Sequence, residues 1–265
     1  MVFHVADDGC RIFWQRTGEG VPCVLIPGLG GEGAFWQGVV DRLGTGLSLI
    51  RIDHRGAGAS DRPAEGYSLP RIARDVLGVL DDIGIERAHV VGHSTGGMIA
   101  QILAVTAPER VRSLVLSGTW GRVDLRFRRL FEARLALLEK AGPEAYHKLT
   151  QALGYDAGWM EAHQGLLDDE IANAGARLRD PAIQIARIRM LLEHDVHQHL
   201  HRIAAPTLVI GAVDDALIPY QSSEALAEKI DGARLVALSG GHFFPKAYPD
   251  AYAAEVARFL EGGSS

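Results

Sequence analysis

Short runs of mostly apolar residues recur along the chain, separated by segments with a different spacing. Five of them span residues 21–26, 47–52, 88–91, 111–116 and 207–210. A run that stays apolar without alternating is typical of a strand covered on both faces, as in a parallel sheet. Between these runs, apolar residues recur every three or four positions, which predicts amphipathic helices. The alternation of strands and helices predicts an α/β fold with a doubly wound, mostly parallel sheet.

The N-terminal part has a different pattern. Residues 2–6 and 10–17 alternate apolar and polar positions, which predicts a short antiparallel pair of strands. If a glycine-rich turn then joins the second strand to the next apolar run, it pairs Cys23 with about residue 16 and not with Cys10. Both cysteines are therefore expected to be reduced, buried thiols.

The pattern changes again from about residue 120. Residues 121–200 contain no strong β run, but apolar residues recur there at helical spacing, interrupted by Gly-Pro and Asp-Pro pairs. Strand character returns after this segment. We therefore expect an α/β core formed by residues 1–119 and 201–265, and an all-helical cap formed by residues 120–200.

Composition narrows the class of protein. Hydrophobic residues make up 47% and charged residues 23% of the 265 residues, which is ordinary for a soluble globular enzyme. The formal net charge of −6 disfavours binding to nucleic acid or to an anionic membrane surface. No apolar run is long enough to cross a bilayer, and no basic segment followed by an apolar core begins the chain. We expect a cytoplasmic protein, monomeric or homodimeric, whose partner is a small-molecule substrate.

The candidate chemistry begins with a serine between two glycines. The segment Gly92-His93-Ser94-Thr95-Gly96 follows an apolar run and precedes residues of helical composition. A sharp turn from strand to helix raises a serine hydroxyl at the carboxyl edge of a sheet, and it needs residues without Cβ on both sides of the serine. The alternative is a glycine-rich turn with an incidental serine. Residues elsewhere in the chain must distinguish a nucleophile from such a turn.

A serine hydroxyl needs a base, and the base needs an orienting acid. His242 comes directly after the last predicted strand, and Asp214 and Asp215 follow the strand before it. The chain order serine, acid, histidine at three strand ends predicts a triad of Ser94, Asp215 and His242, although the last two alternatively only cap secondary structure. Asp215 is preferred because it lies four residues before Pro219 and at a suitable distance from the start of its strand. Asp214 would then point away or stabilise the following helix.

The tetrahedral intermediate of such a reaction places negative charge on an oxygen, which needs two fixed donors. The backbone N–H of Thr95, at the start of a helix, is predicted to be one donor of this oxyanion hole. The second is predicted to be the N–H of Leu29, in the glycine-rich loop 27–31. Taken alone, this loop is more simply a tight turn, but its position two strands before the serine favours a functional interpretation.

Side chains outside the predicted triad and oxyanion hole suggest a substrate pocket but no metal site. Trp120 and Phe243 each follow a strand end and are expected to bind substrate in the pocket wall. The arginines of the insertion, Arg134 among them, could hold a substrate carboxylate, but they are expected mainly on a solvated helix face. Three histidines between residues 194 and 201 share a helix face, but no cysteine or well-spaced carboxylate completes a metal site. No metal and no cofactor are expected.

These motifs together resemble the α/β-hydrolase superfamily. In that superfamily the glycine-rich loop that supplies an oxyanion donor usually opens with His-Gly. Here Pro27 replaces the histidine, which matters little because the predicted donor is the backbone N–H of Leu29. Serine at position 94, where haloalkane dehalogenases and epoxide hydrolases have aspartate, argues against those two groups. The resemblance implies the fold and triad described above. It rests on residues 27–31, Asp53-x-Arg55-Gly56-x-Gly58-x-Ser60, residues 92–97 and Gly241-His242.

Further motifs occur in the insertion and after it: Phe127 to Arg134, Tyr155-x-x-x-Trp159-Met160, Asp214-Asp215-x-Leu217-x-Pro219 and Gly240-Gly241-His242-Phe243. In these motifs the chain resembles the RutD group, the aminoacrylate or carbamate hydrolases of pyrimidine degradation, with the enol-lactone hydrolases as near neighbours. The resemblance implies a cofactor-free serine hydrolase that cleaves a small ester, lactone, amide or carbamate through an acyl-enzyme on Ser94. The alternatives are a perhydrolase or carbon–carbon lyase of the same superfamily, and a ligand-binding protein with slow turnover.

Overall fold

The computed structural model describes residues 2–262. Its eight strands form one sheet in the order β1-β2-β4-β3-β5-β6-β7-β8. The pairs β1/β2 and β2/β4 are antiparallel, and the remaining pairs are parallel, so the predicted mostly parallel sheet is confirmed. The strands are β1 (Val2–Val5), β2 (Arg11–Thr17), β3 (Gly20–Ile26), β4 (Gly46–Ile52), β5 (Ala88–His93), β6 (Val111–Ser117), β7 (Thr207–Ala212) and β8 (Arg234–Leu238).

Helices cover both faces of the sheet, as the apolar runs predict. Ser68 caps α2 by accepting the backbone N–H of Arg71. The helical spacing of apolar residues after residue 33 predicts a helix, and the structure has only a short one there. A 3₁₀ turn at Gly33–Trp36 is followed by a single turn of α-helix at Gln37–Val40. The helices are α1 (Gln37–Val40), α2 (Leu69–Asp82), α3 (Thr95–Thr106), α4 (Leu125–Gly154), α5 (Ala157–Ala162), α6 (Gln164–Ala172), α7 (Ala174–Leu178), α8 (Pro181–Glu193), α9 (Tyr220–Lys229), α10 (Phe244–Ala247) and α11 (Pro249–Gly262).

Alternate residues of β3 enter two separate cores. Val24 and Ile26 face the core formed with α2, α3 and the helices of the insertion. Cys23 and Leu25 face the core formed with α1, α10 and α11. Since every one of these four side chains is fully buried, β3 is a central strand covered on both faces. The loops at its carboxyl end are therefore held by packing on both sides.

The expected direct connection of β2 to β3 as neighbouring strands is wrong. β4 lies between them, antiparallel to β2 and parallel to β3, with Cys23 opposite Leu49. The turn crosses the end of β4 so closely that a Cβ on Gly20 would lie 2.2 Å from the carbonyl oxygen of Gly46. Both cysteines are free and buried, as predicted, and burial raises the pKa of Cys10 to about 11 and that of Cys23 to about 12.

Five helices, α4 to α8, lie between β6 and β7, and no strand occurs there within residues 2–262. The Gly-Pro pair that predicted a helix end instead makes a kink inside α4, because Gly142 has a φ of 82°. Several apolar side chains of α4 and α8 belong to the same core as α2 and α3, among them Phe131 and Leu191. The inserted helices are thus packed onto the sheet. None of the helices within residues 2–262 is both long and apolar enough to span a membrane.

Candidate active site

Ser94 stands at the junction of β5 and α3 with a φ of 54°, which a non-glycine residue rarely adopts. The turn is too tight for side chains on either side of it. A Cβ on Gly92 would lie 2.3 Å from the carbonyl oxygen of Gly96, and a Cβ on Gly96 would lie 2.1 Å from that of Ile26. The two glycines are therefore required by the backbone, and the turn exposes the Ser94 hydroxyl to a cavity above the sheet.

Ser94, His242 and Asp215 form one chain of hydrogen bonds. Nε2 of His242 lies 2.9 Å from Oγ of Ser94, and Nδ1 lies 2.7 Å from Oδ2 of Asp215. Oδ1 of Asp215 accepts the backbone N–H groups of Leu217 at 2.9 Å and Ile218 at 2.7 Å. These two bonds fix the carboxylate at the end of β7. With its proton on Nδ1, the imidazole donates to Asp215 and accepts from Ser94.

Asp214 is turned away from the imidazole. Its carboxylate oxygens accept the backbone N–H of Gly240 at 3.0 and 3.1 Å. Gly240 has a φ of 117° and belongs to the loop that carries His242. The two neighbouring aspartates thus have different tasks in the fold: Asp215 contacts the ring of His242, and Asp214 holds the loop behind it.

His93, the residue before Ser94, packs beneath the site. Its ring stacks on Phe35 with centroids 5.1 Å apart, lies 4.9 Å from the ring of His242, and has Nδ1 3.2 Å from Oγ of Ser117. Burial, together with the nearby His242, holds the pKa of His93 well below its usual range. His93 therefore remains neutral and adds no positive charge beside His242.

The glycine-rich loop after β3 approaches Ser94 closely. A Cβ on Gly28 would lie 3.7 Å from Oγ of Ser94, and the N–H of Gly31 donates to the carbonyl oxygen of Gly28 at 2.9 Å. Leu29 lies inside this turn and lines the cavity next to Ser94. Thr95 is the first residue of α3, where helix N–H groups have no partner within the helix. The two residues predicted to supply oxyanion donors are thus close to Ser94: Thr95 is the next residue in the sequence, and Leu29 belongs to the loop that approaches the serine.

The cavity above Ser94 has a volume of about 350 Å³. Phe243 lines it, as predicted, and lies over the ring of Tyr155 with centroids 5.0 Å apart. Trp120 does not line it, contrary to prediction. After β6 the chain bends at Gly118, with a φ of 51°, and the Trp120 ring packs 4.4 Å from that of Phe127 inside the core.

Two buried arginines in the cavity wall depart from the sequence prediction. Arg134 is only 3% exposed instead of lying on a solvated face, and its Nη2 donates to the Tyr146 hydroxyl at 3.1 Å and to Oγ1 of Thr150 at 3.0 Å. Arg187, which sequence reasoning missed, is 2% exposed. The sequence does contain an indication that Arg187 is buried. It lies four residues from both Ile183 and Leu191, so that it interrupts an otherwise apolar helix face.

An acidic side chain completes the polar part of the wall. Oε1 of Glu170 lies 3.1 Å from Nζ of Lys246, with His147 and Arg177 also close by. Burial alone would raise the pKa of Glu170, but these basic neighbours outweigh it and lower the pKa to about 2. Glu170 is therefore ionised and neutralised by its own neighbours, and it leaves the charges of the two buried arginines unmatched.

Because His54 is buried close to Arg187, the stability of the protein should depend on pH. Its ring is 1% exposed and neither nitrogen has a partner among residues 2–262. Burial, with the charge of Arg187, lowers the pKa of His54 from 6.5 to about 3. Between about pH 3 and pH 6.5 residue 54 binds a proton in the unfolded chain but not in the folded protein. The contribution of the neutral imidazole to the free energy of unfolding is therefore complete above pH 6.5 and is lost as the pH falls below 6.5. From pH 7.5 to 5.5 the loss amounts to about 1.4 kcal/mol.

The variant His54→Gln should lose about 1.4 kcal/mol less than the unaltered protein over this interval, as measured by urea unfolding at both pH values. His201→Gln makes the same change on an exposed side chain and serves as the control. An equal pH-dependent loss in the unaltered protein and in His54→Gln would contradict the prediction.

Comparison with known families agrees with this fold and geometry. Residues 21–140 match the family described as "alpha/beta hydrolase fold", and residues 87–253 match the family described as "Serine hydrolase (FSH1)". The eight-stranded sheet, the turn at Ser94 and these two matches define the class of protein as an α/β hydrolase.

Relatives of known description match over most of the chain. A protein of Azorhizobium caulinodans named "Putative carbamate hydrolase RutD" is 38% identical over 242 residues, 91% of each chain. The protein of that name from Variovorax paradoxus is 40% identical over 229 residues, 86% of this chain and 84% of its own. The crystal structure of the enol-lactonase from Burkholderia xenovorans LB400 has a TM-score of 0.90 at 25% identity, over 98% of this chain and 100% of that chain. The chain belongs to the RutD family of α/β hydrolases, which confirms the resemblance found in its sequence.

Proposed function

We propose that this protein is a serine hydrolase that cleaves a small ester, lactone, amide or carbamate through an acyl-enzyme on Ser94. The observation that carries the proposal is the chain of hydrogen bonds from Ser94 through His242 to Asp215, at 2.9 and 2.7 Å, on the floor of the cavity. The name of the relatives favours a carbamate among these substrates. The cavity of about 350 Å³ suits a small molecule.

In the first half of the reaction, Ser94 attacks the substrate carbonyl carbon. Nε2 of His242 takes the hydroxyl proton as the bond forms, and Asp215 stabilises the resulting imidazolium from the Nδ1 side. The negative charge on the former carbonyl oxygen is held by the backbone N–H groups of Leu29 and Thr95. His242 then gives its proton to the leaving group, and the acyl group stays on Ser94.

In the second half, a water molecule replaces the leaving group. His242 takes a proton from the water, which attacks the acyl carbon, and the same two N–H groups hold the second oxyanion. Collapse of this intermediate returns the proton to Ser94 and releases the acid. The neutral state of His93 favours this cycle, because a second cation beside His242 would oppose formation of the imidazolium.

Covalent labelling tests the nucleophile. A fluorophosphonate ester should add once per chain, and peptide mass analysis should place the adduct on Ser94 because only this serine is activated by a histidine within the cavity. The Ser94→Ala variant should remain unlabelled. An adduct on another residue would remove the proposed mechanism.

Product analysis separates hydrolysis from the other reactions of the superfamily. With a short-chain ester in ¹⁸O-labelled water, one ¹⁸O atom should enter the released acid. Peracid formed in the presence of peroxide at a higher rate than acid would indicate a perhydrolase instead. Acid release slower than one turnover per hour, with tight binding of the ester, would indicate a ligand-binding protein.

A further inference from the structure

We propose that Arg187 binds a carboxylate on the acyl part of the substrate, so that this enzyme is specific for short acyl groups that end in a carboxylate. The inference rests on the proposed function, since it concerns the molecule that acylates Ser94. Arg187 would then determine substrate specificity, and the substrate carboxylate would be the ligand at the polar end of the cavity.

Arg187 is a buried cation whose hydrogen bonds are incomplete. Its Nη1 donates to Oε1 of Gln184 at 3.2 Å, while Nε and Nη2 have no partner among residues 2–262. The side chain is 2% exposed, and it forms no ion pair with another residue of this described part. A buried charge without a counter-charge strongly destabilises a fold. A bound anion would satisfy both its charge and its donors.

The two free donors form the edge of the guanidinium that suits a carboxylate. Elsewhere in this chain, Arg55 donates from Nε and Nη2 to the two oxygens of Asp75, at 2.7 and 2.8 Å. Arg42 uses the same two atoms for Asp250. Such paired bonds are strong because donors and acceptors are parallel and both groups are charged. In Arg187 the same two nitrogens are buried, and no carboxylate among residues 2–262 is bonded to them.

The guanidinium is close to the place of acylation. Nη2 lies against Gly31, where a Cβ would be only 2.2 Å from it. The N–H of Gly31 closes a turn on Gly28, where a Cβ would lie 3.3 Å from that of Ser94, and such a turn holds its first and last Cα atoms within about 7 Å. Both Arg187 and Ser94 line the same cavity. A carboxylate at Arg187 is therefore joined to the scissile carbonyl by a short chain.

The surroundings keep Arg187 charged and without an acidic partner among residues 2–262. Burial lowers its pKa to about 10 and Arg62 adds to this effect, while Tyr67, Tyr146 and Glu32 act in the opposite direction. It therefore remains protonated at neutral pH. Glu32 is half-exposed, and its nearest basic partner is Arg177 at 3.9 Å. The other acid of the wall, Glu170, is held by Lys246. Neither acid competes for Arg187.

A carboxylate fits this site better than a phosphate group. One guanidinium edge supplies two donors and one positive charge, which matches the two oxygens and single charge of a carboxylate. The second arginine of the wall, Arg134, already donates to Tyr146 and Thr150. Arg62 also lines the cavity, but its Nη1 and Nη2 donate to the carbonyl oxygens of Ser60 and Gly58 at 3.3 and 3.0 Å, so only its Nε is unpaired among residues 2–262.

The test compares two esters of the same leaving group. For 4-nitrophenyl hydrogen glutarate against its neutral analogue 4-nitrophenyl valerate, kcat/KM should be about 10 to 100-fold higher with the acidic ester, the value of a charge-assisted hydrogen-bonded pair. Arg187→Met should bring this ratio near one, and Arg187→Lys should leave it between the two. Arg189→Met changes an exposed arginine on the same helix, paired with Glu139 at 3.1 Å, and should keep the high ratio.

A ratio near one in the unaltered enzyme, or an unchanged high ratio in Arg187→Met, would overturn the proposal. If Arg187→Met does not fold, Arg187→Lys and the unaltered enzyme still decide, because a lysine cannot make the paired bonds. An unaltered enzyme that cleaves neither ester and takes no fluorophosphonate label on Ser94 would remove the proposed function, and ligand binding then tests Arg187 by itself.

That binding test uses Ser94→Ala, which keeps the ester intact. Monomethyl glutarate should raise the Tm of Ser94→Ala, and it should raise that of the double variant with Arg187→Lys much less. Dimethyl glutarate, which has no charge, is the matched control. No rise with monomethyl glutarate, or a larger rise with inorganic phosphate at the same concentration, would overturn the assignment of a carboxylate site.

Discussion

Replacing Ser94 by alanine should lower kcat for a short-chain ester by about 10⁴ to 10⁶-fold. The change removes the only atom that can form the acyl-enzyme, while the cavity and the oxyanion donors remain. KM should change little, because the hydroxyl contributes to the reaction and not to substrate binding. The measurement is steady-state hydrolysis with a fresh nitrophenyl ester, at enzyme concentrations high enough to detect slow turnover.

A second serine–histidine pair provides a control for this variant. Oγ of Ser113 in β6 lies 2.7 Å from Nδ1 of His89 in the neighbouring strand β5, but neither residue lines the cavity. Ser113→Ala should keep kcat within about 3-fold, in line with a residue distant from the reaction. A loss of less than 10-fold in Ser94→Ala, with an unchanged thermal unfolding curve, would contradict the assignment of the nucleophile.

Asp215→Asn should lower kcat by about 10³ to 10⁴-fold. The amide oxygen can still accept the N–H groups of Leu217 and Ile218, but its NH₂ group then faces Nδ1 of His242. The imidazole must therefore accept there and carry its proton on Nε2, where it can no longer accept the proton of Ser94. Steady-state kinetics against pH would measure the loss, which should persist at every pH at which the protein is folded.

The neighbouring residue gives a matched variant. Asp214→Asn retains an oxygen for the N–H of Gly240 and does not face the imidazole, so kcat should fall less than 10-fold. A larger loss for Asp214→Asn than for Asp215→Asn would exchange the two proposed roles. Equal, small losses in both would show that His242 needs neither acid.

Much of the candidate site could be predicted because it depends on short stretches of chain. The strained turn at Ser94 admits only small residues at 92 and 96, so its glycines are visible in the sequence. His242 and Asp215 follow strands whose apolar runs are easily recognised, and parallel strands present their carboxyl ends at one edge. Asp214 and Asp215 could be ranked by spacing, but only the hydrogen bonds show which of them faces the imidazole.

The residues missed or misplaced depend on contacts between distant segments. Trp120 follows a strand end, but the bend at Gly118 and the rings of α4 draw it into the core. Arg134 has the sequence neighbours of an exposed helix residue, yet its burial comes from the other helices of the insertion. Arg187 becomes part of the cavity only because α8 lies over the loop at Gly31.

The sequence by itself determined the alternation of strands and helices, the turn at Ser94 and the order of serine, acid and histidine, because backbone geometry and apolar periodicity act over a few residues. The tertiary structure alone decided that β4 separates β2 from β3 and which side chains line the cavity. Strand order and burial are set by packing between segments far apart in the chain, and local residue patterns do not encode which distant segment will cover them.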